Sequence, residues 1–393
     1  MSAALLPLSW LYRGLLALRT LAYRVGLKRT ETLPVPVIVV GNWIVGGAGK
    51  TPTTLALLDL LRARGLRAGV VSRGYGRDGD GVRLVTRVST AREVGDEPLL
   101  IHLRGRVPVA VGRDRVAAAR ALLAAHPDLH LLVSDDGLQH WRLPRALSLL
   151  VFDERGLGNG RLLPAGPLRQ PPAALKPDQL VVYNASQPST ALPGFMAERG
   201  LKGAVSLAGW WAGEPATTDT LLSLRNRPGL LAVAGIARPQ RFFDMLAAQG
   251  LRVGTQALPD HADFATLPWG ADAAGIVLTE KDAVKLPPER VGTLPVWVVA
   301  LDFSIGALRS RPGRTTATAL PFLMDPRLIE MLVCPLCKGP LTLLRGTEPD
   351  RPALACRADR LAFPIRDGIP LMLESEAKAW DPDAPTPPVV LAP

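Results

Sequence analysis

An α/β protein built on a mostly parallel sheet is the architecture this sequence predicts, and three observations carry it. The apolar stretch "VPVIVV" (35–40) runs directly into the glycine-rich turn "GNWIVGGAGK" (41–50), and a helical stretch follows. Short apolar strands then alternate with helical segments as far as "LPVWVVA" (294–300). That is the pattern of parallel strands joined by crossover helices. Apolar residues make up 48% of the 393 positions, enough for a large core in two or three domains.

The first element is a helix over 7–29, "PLSWLYRGLLALRTLAYRVGLKR". Leu11, Leu15, Leu18, Ala22 and Val25 fall on one face at spacings of three and four. Arg13, Arg24 and Lys28 project from the other side. The first thirty residues hold five basic residues and no acidic one. A basic amphipathic helix suits a membrane interface, apolar face down and cations on lipid phosphates. The alternative is a helix docked on the protein's own core. No stretch reaches the ~18 uninterrupted apolar residues of a membrane span, and the charge layout is not that of a signal peptide. Net charge is +11 with a pI near 10.1. This favours an anionic partner, whether phospholipid surface, nucleic acid or phosphorylated substrate; an arginine-rich proteome is the plainer source.

The α/β elements follow in order. "TPTTLALLDLLRARG" (51–65) is helical and stops at its glycine. "LRAGVVS" (66–72) is a strand, "DRVAAARALLAAH" (114–126) a helix, "LHLLVSDD" (129–136) a strand ending in acids, and "ALSLLVFD" (146–153) another strand. A second alternation comprises "LLAVAGIA", "PQRFFDMLAAQG", "GIVLTEKDA" and "LPVWVVA". The expected division is an amphipathic interface helix at 1–30, a nucleotide-binding domain at 31–190, a second α/β subdomain at 191–320, a small module at 325–378 and a Pro-rich disordered tail at 379–393. The stretch 313–321 reads as a linker.

The glycine-rich turn has the placement that phosphate binding requires: a strand ends, the turn follows, and a helix starts at the lysine. Gly46, Gly47, Ala48 and Gly49 let backbone N–H groups curl around phosphate oxygens. Lys50 is placed to neutralise the β- and γ-phosphates, and the Thr51 hydroxyl to bind Mg²⁺. The helix N-terminus adds its dipole. The strict pattern wants a glycine where Ile44 stands. Asp135 and Asp136 arrive on a neighbouring strand, where an acid holds Mg²⁺ directly or through water. "VGDEPLLI" puts Asp96 and Glu97 in a loop before a helix, and "PDHADF" puts Asp260 and His261 in another. A histidine oriented by an acid can accept a hydroxyl proton; each stretch alone reads as a surface turn.

"VGNWIVGGAGKTP", "SRGYGR" (72–77), "VGDEP", "SDDGLQH" (134–140), "GLGNGRLLPAGPLR" (156–169), "GIARPQRFF" (235–243), "PDHADF" and "LTEKDAVKL" (278–286) together resemble the tetraacyldisaccharide 4'-kinase family. The resemblance spans about residues 5–315 in the family's own order. It implies a P-loop NTPase fold and transfer of phosphate from ATP, with Mg²⁺, to the 4'-hydroxyl of an acylated glucosamine disaccharide 1-phosphate. That family makes lipid A at the cytoplasmic face of the Gram-negative inner membrane. The resemblance also implies a phosphate loop at Gly46–Thr51, a base shared by Asp96 and His261, and metal-linked acids at Asp135 and Asp136. Where the family often has Glu after "GPLR", this chain has Gln170.

The three cysteines, Cys334, Cys337 and Cys356, lie near one end, which argues against a disulfide framework. With Asp359 they give the spacing C-x2-C-x18-C-x2-D. A two-thiolate knuckle is half of a Zn²⁺ site, and carboxylate is a weaker fourth ligand than thiolate. The alternative is a degenerate ribbon held by its core. The segment resembles small zinc-ribbon-like proteins related to tRNA-methyltransferase activators.

Three rival readings have distinguishing features. Septum-positioning, membrane-switching ATPases carry a lysine just before the paired glycines, and Val45 stands there. A P-loop kinase of a soluble sugar has no use for the N-terminal helix. A nucleic-acid binder needs aromatic stacking platforms, which the sequence does not offer, so the kinase part is expected to bind no nucleic acid.

Overall fold

The computed structural model describes residues 4–270, 273–305, 334–337, 339–344, 353–366, 369–372 and 374–382. The chain forms two compact units, Met1–Arg309 and Ser310–Pro393. The expected linker at 313–321 and most of the expected tail lie outside the described residues.

The first unit begins with α1 (Leu6–Arg24), β1 (Val37–Gly41), α2 (Lys50–Ala63), β2 (Ala68–Ser72), β3 (Arg83–Leu84), α3 (Ala91–Val94), α4 (Asp96–Gly105) and β4 (Val109–Val111). It continues with α5 (Arg115–Ala125), β5 (Leu131–Asp135), β6 (Leu147–Asp153), β7 (Gln179–Asn184), β8 (Phe195–Ser206), α6 (Leu207–Ala212) and α7 (Thr218–Ser223). β9 (Leu230–Ala234), α8 (Pro239–Ala248), β10 (Gly254–Ala257), β11 (Gly275–Thr279), α9 (Glu280–Ala283) and β12 (Val296–Ile305) complete it.

The strands make one twelve-stranded sheet, ordered β10-β9-β11-β12-β8-β7-β6-β1-β5-β2-β4-β3. Among the described residues only the β8–β12 and β3–β4 pairings of this sheet are antiparallel. β8 is the join between the two parallel halves. Its first residues pair with β7 (Val182 with Phe195), and most of its length pairs with β12. The central strands are covered on both faces, so β1, β2, β5 and β6 read as nearly unbroken apolar runs. Val40, Val70, Val133 and Leu149 pack on one face with Leu58 of α2. Their chain neighbours Val39, Val71, Leu132 and Leu150 pack on the other with Leu122 of α5. The carboxyl ends of β1 and β5 therefore open together, where the phosphate loop and the paired acids emerge.

Two elements differ from expectation. The first helix ends at Arg24 rather than continuing to 29, because Gly26 at φ +77° turns the chain out of the helix. Asp96 and Glu97 are not in a loop: they are the first turn of α4, with Gly95 as its N-cap. A carboxylate there is stabilised by the helix dipole, typically by about 0.3–1 kcal/mol.

α1 docks through a polar and aromatic face. Ser9 Oγ donates to Leu162 O at 2.9 Å and accepts from Ala165 N at 3.0 Å. Tyr12 OH donates to Arg169 O at 2.8 Å. The Arg19 guanidinium stacks over Trp141 at 5.0 Å, and Tyr23 meets that indole edge-on. The leucine stripe stays outside: Leu11, Leu15, Leu18 and Val25 are 57–66% exposed.

The second unit carries β13 (Leu341–Leu344), β14 (Ala353–Cys356), β15 (Leu361–Arg366), β16 (Ile369–Pro370) and β17 (Lys378–Ala379) in a small antiparallel sheet. Its core gathers Cys334, Cys356 and Phe363.

Candidate active site

The phosphate loop leaves β1 at Gly41 and enters α2 at Lys50. Gly46 and Gly49 sit at φ +92° and +95°, in the left-handed region that favours glycine. A Cβ on Gly49 would also lie 2.0 Å from Asn184 Nδ2. That amide donates to Ala48 O at 2.8 Å, so the end of β7 braces the loop. Lys50 Nζ folds back to Gly46 O at 3.4 Å and stands 3.9 Å from Asp136 Oδ1. Ile44 is fully buried and bridges to Leu168; its side chain fills core where the strict pattern has glycine.

Asp135 is buried at the end of β5 and accepts from Thr54 Oγ1 at 3.1 Å. Burial, with the carboxylates of Glu97 and Asp136 nearby, pushes it up to about 7. Burial acts the same way on Asp136, but Lys50 and Arg169 outweigh it and hold that carboxyl below its ordinary range. Arg169 Nη1 lies 2.8 Å from Asp136 Oδ1. A buried carboxylate with this excess of negative neighbours, near the helix turn that carries buried Thr51, offers the hard oxygen donors that Mg²⁺ takes.

The two remaining expected residues, 165 positions apart, are brought into contact. His261 Nδ1 lies 2.7 Å from Asp96 Oδ2. Asp96 is buried, and its other oxygen accepts from Glu97 N at 2.8 Å. Burial pushes Asp96 up, yet the His261 hydrogen bond and the Lys281 and Lys285 charges win and hold it low. The Asp96 hydrogen bond raises His261 above its ordinary value against the opposing effects of burial and Lys281. His261 has φ +63°. Its backbone N–H donates to Gly235 O at 3.2 Å, and Phe264, three residues on, is buried as the loop's anchor.

Two cavities meet the site. One, of about 390 Å³, is lined by Lys50, Thr51, Glu97, Arg199, Phe242 and Lys281 among others. The other, of about 1110 Å³, is lined by Tyr75, Arg92, Asp96, Trp211 and His261 among others. Asp96 and Glu97, adjacent in α4, thus face different cavities, with the phosphate loop on the Glu97 side.

A sequence-family profile described as tetraacyldisaccharide-1-P 4'-kinase matches residues 1–312. The tetraacyldisaccharide 4'-kinase of Methylibium petroleiphilum is 57% identical over 309 residues, covering 77% of this chain and 86% of that one. The chain belongs to the tetraacyldisaccharide 4'-kinase family. A relative of the same name from Verminephrobacter eiseniae is 44% identical over 405 residues, 95% of this chain and 91% of its own. A crystal structure of Aquifex aeolicus LpxK in complex with ATP superposes with a TM-score of 0.65 at 29% identity, covering 77% of this chain and 95% of that one. A second profile, Trm112p-like protein, matches residues 325–368.

Within this kinase-family unit, sequence reasoning missed Asn184, Arg169 and Lys281. Arg169 and Lys281 were inside quoted motifs, which was their signal; Asn184 ends an ordinary strand and gave none. Arg155 also reaches the loop, donating to Val45 O at 3.2 Å while paired to buried Asp153. Gln170 accepts from Gln139 Nε2 at 3.3 Å.

In the second unit, Cys334, Cys337, Cys356 and Asp359 present ligand atoms all within 4.8 Å of one another. Cys334 and Cys356 donate to Asp359 Oδ2 at 3.0 and 3.1 Å. The hydrogen bond to Asp359, with those to the other thiols, pushes Cys337 up to about 12. Three thiols around a carboxylate are a donor set that fits Zn²⁺, which replaces thiol protons.

Proposed function

We propose that this protein transfers the γ-phosphate of ATP to the 4'-hydroxyl of an acylated glucosamine disaccharide 1-phosphate, a step of lipid A biosynthesis. The observation that carries it is the 2.7 Å contact of Asp96 with His261, adjacent in α4 to Glu97, which faces the cleft lined by the phosphate-loop residues Lys50 and Thr51. A switching ATPase needs the loop but has no use for a base aimed at an acceptor.

The Gly46–Thr51 turn wraps the phosphates, and Lys50 stabilises the charge that spreads over the transferring group. Thr51, Asp135 and Asp136 hold Mg²⁺, which neutralises phosphate charge when bound. Asp96, oriented by His261, takes the proton of the acceptor hydroxyl as its oxygen bonds to the γ-phosphorus. The bond from that phosphorus to the bridging oxygen breaks, and ADP leaves with the electron pair.

An acylated acceptor stays in a bilayer, so the enzyme works at the surface. Among the described residues no helix is long and apolar enough to cross a membrane. α1 instead lies in the interface, its exposed leucines among acyl chains and Arg13 and Arg24 toward anionic headgroups. On this reading the enzyme works as a peripheral protein on the cytoplasmic face of the bacterial inner membrane, and the exposed apolar stripe of α1 supports the peripheral part of it. The second unit holds one Zn²⁺ on Cys334, Cys337, Cys356 and Asp359. The same reading divides the chain into an interface helix at 1–30, a nucleotide-binding domain at 31–190, a second α/β subdomain at 191–320, a zinc-ribbon-like module at 325–378 and a tail at 379–393.

The test is labelled-phosphate transfer. Purified protein with γ-labelled ATP, Mg²⁺ and the acylated disaccharide 1-phosphate in micelles should label the lipid. ATP hydrolysis stimulated by vesicles, with no labelled lipid, would instead establish the switching reading.

A further inference from the structure

The stretch "LTEKDAVKL" (278–286) runs from the end of β11 through α9. Its α9 is four residues long, and two of its side chains are pinned in the interior. Glu280 pairs with Arg104 at 3.1 Å and accepts from Trp210 Nε1 at 3.3 Å and Leu301 N at 3.2 Å. Asp282 accepts from Gly235 N at 3.1 Å, Thr279 Oγ1 at 2.6 Å and Lys285 Nζ at 3.0 Å. Lys281, between them, lines the cleft and makes a different set of contacts. Its Nζ lies 3.3 Å from Asp260 Oδ1, 3.4 Å from Glu97 Oε1 and 3.4 Å from His261 Nε2.

An ammonium can only donate, so its contact makes Nε2 the acceptor nitrogen. Nδ1, facing the Asp96 carboxylate, must then carry the proton. The ring is held at both nitrogens, in one tautomer. The loop would not hold it so firmly alone, because His261 itself sits in the left-handed region. The same ammonium ties three segments together: α4 through Glu97, the 260–261 loop, and α9. The other groups facing the ring are Asp96 on α4, Asp260 on its own loop and the Tyr75 ring at 6.0 Å.

We propose that Lys281 is a positioning residue for acceptor activation, fixing His261 as the Nδ1–H tautomer so that Asp96 is presented to the hydroxyl in one orientation. This rests on the Asp96–His261 reading above. Lys281 acts through His261 and touches neither reacting oxygen.

The experiment uses the full-length protein with ATP, Mg²⁺ and the acylated disaccharide 1-phosphate in micelles. Lys281→Met, Lys281→Arg, His261→Ala and the double variant Lys281→Met/His261→Ala are compared from about pH 5.5 to about pH 9, a range spanning the histidine titration. Lys281→Met should lower kcat by about tenfold or more while KM for ATP stays within about twofold. Its acidic limb should move to higher pH, because a neighbouring cation no longer opposes protonation of His261. Lys281→Arg should recover most of the rate. In the His261→Ala background Lys281→Met should cost nothing further. Imidazole ¹⁵N spectra of the wild-type protein should show the Nδ1–H form.

Equal losses with and without His261 would overturn the proposal, as would an unchanged kcat. A rise in KM for ATP alone would assign Lys281 to the nucleotide instead. If Lys281→Met does not fold, the wild-type spectra still decide, since an Nε2–H tautomer is incompatible with the proposal. Wild-type turnover by His261→Ala removes the base reading itself, and is seen before any Lys281 variant is interpreted.

Discussion

Single side chains set the chemistry, and two of them were readable only as halves of a pair. Asp96 and His261 each looked like part of a surface turn, because nothing local in sequence says that positions 165 apart will touch. The sheet order decides that, by bringing the β11–α9 corner and the 260–261 loop over the start of α4. If the two act as one base, Asp96→Ala and His261→Ala should each slow turnover, and the double variant should be little worse than the poorer single. Multiplicative losses would show independent roles. Their titration gives a second check. The His261 midpoint is raised by Asp96, so its share of folding stability is complete below its ordinary value of about 6.5 and fades as pH rises through the folded midpoint. Asp96 is lowered, so its share is present above its ordinary value of about 4 and fades as pH falls through the folded one. Asp96→Asn should therefore destabilise most between about pH 4 and about pH 6.5, and the histidine midpoint read by NMR should drop. Lys50 was legible outright from the glycines before it. Lys50→Ala should lose about 10²-fold or more in turnover, measured with the folded variant; near-normal turnover would contradict its assignment. Ile44 was the misfit of the loop, and its burial against Leu168 accounts for it: the turn is entered from a packed side chain rather than from a second flexible glycine.

At the level of elements, periodicity gave α1 its apolar face, but periodicity cannot say which face docks. The stripe is the exposed side, and the contacts to the body come from Ser9, Tyr12, Arg19 and Tyr23, which share a face at helical spacing but are too polar for a hydrophobic pattern to register. Each leucine that reaches acyl chains contributes about 1.5–3 kcal/mol. Replacing Leu11, Leu15 and Leu18 with Ser should cut co-sedimentation with anionic vesicles by about tenfold or more, with thermal stability little changed, because those side chains are already exposed. Unchanged vesicle binding would leave α1 a packing element. The boundary of α4 was misread for a physical reason as well. Gly95 before two acids looks like a turn, and only its φ of +91° shows it to be the cap of the helix that begins with Asp96. Asn184 left no trace in sequence because its job depends on β7 ending beside the phosphate loop, a matter of register and not of motif.

On the scale of the whole molecule, the alternation of strands and helices was enough to specify the two parallel halves. The long antiparallel β8–β12 pairing that fuses them into one sheet was not legible, since β8 carries Glu198, Arg199 and Lys202 and does not read as an apolar strand. The second unit was legible from its cysteine spacing. Its predicted metal is checked by elemental analysis of the full-length protein: one Zn²⁺ per chain, lost in Cys334→Ser/Cys337→Ser. All phosphate-handling residues precede residue 290, so truncation at about 322 should leave turnover within about twofold of the intact chain; a folded but inactive truncation would make the second unit part of the enzyme. One specific hydroxyl of the lipid disaccharide is the proposed phosphate acceptor. Correlated ³¹P–¹H NMR of the lipid product tests it most directly. A second phosphomonoester coupled to the proton on carbon 4' of the distal glucosamine is the predicted result. A new phosphate at any other position, or ADP formed with no phosphorylated lipid, would contradict it.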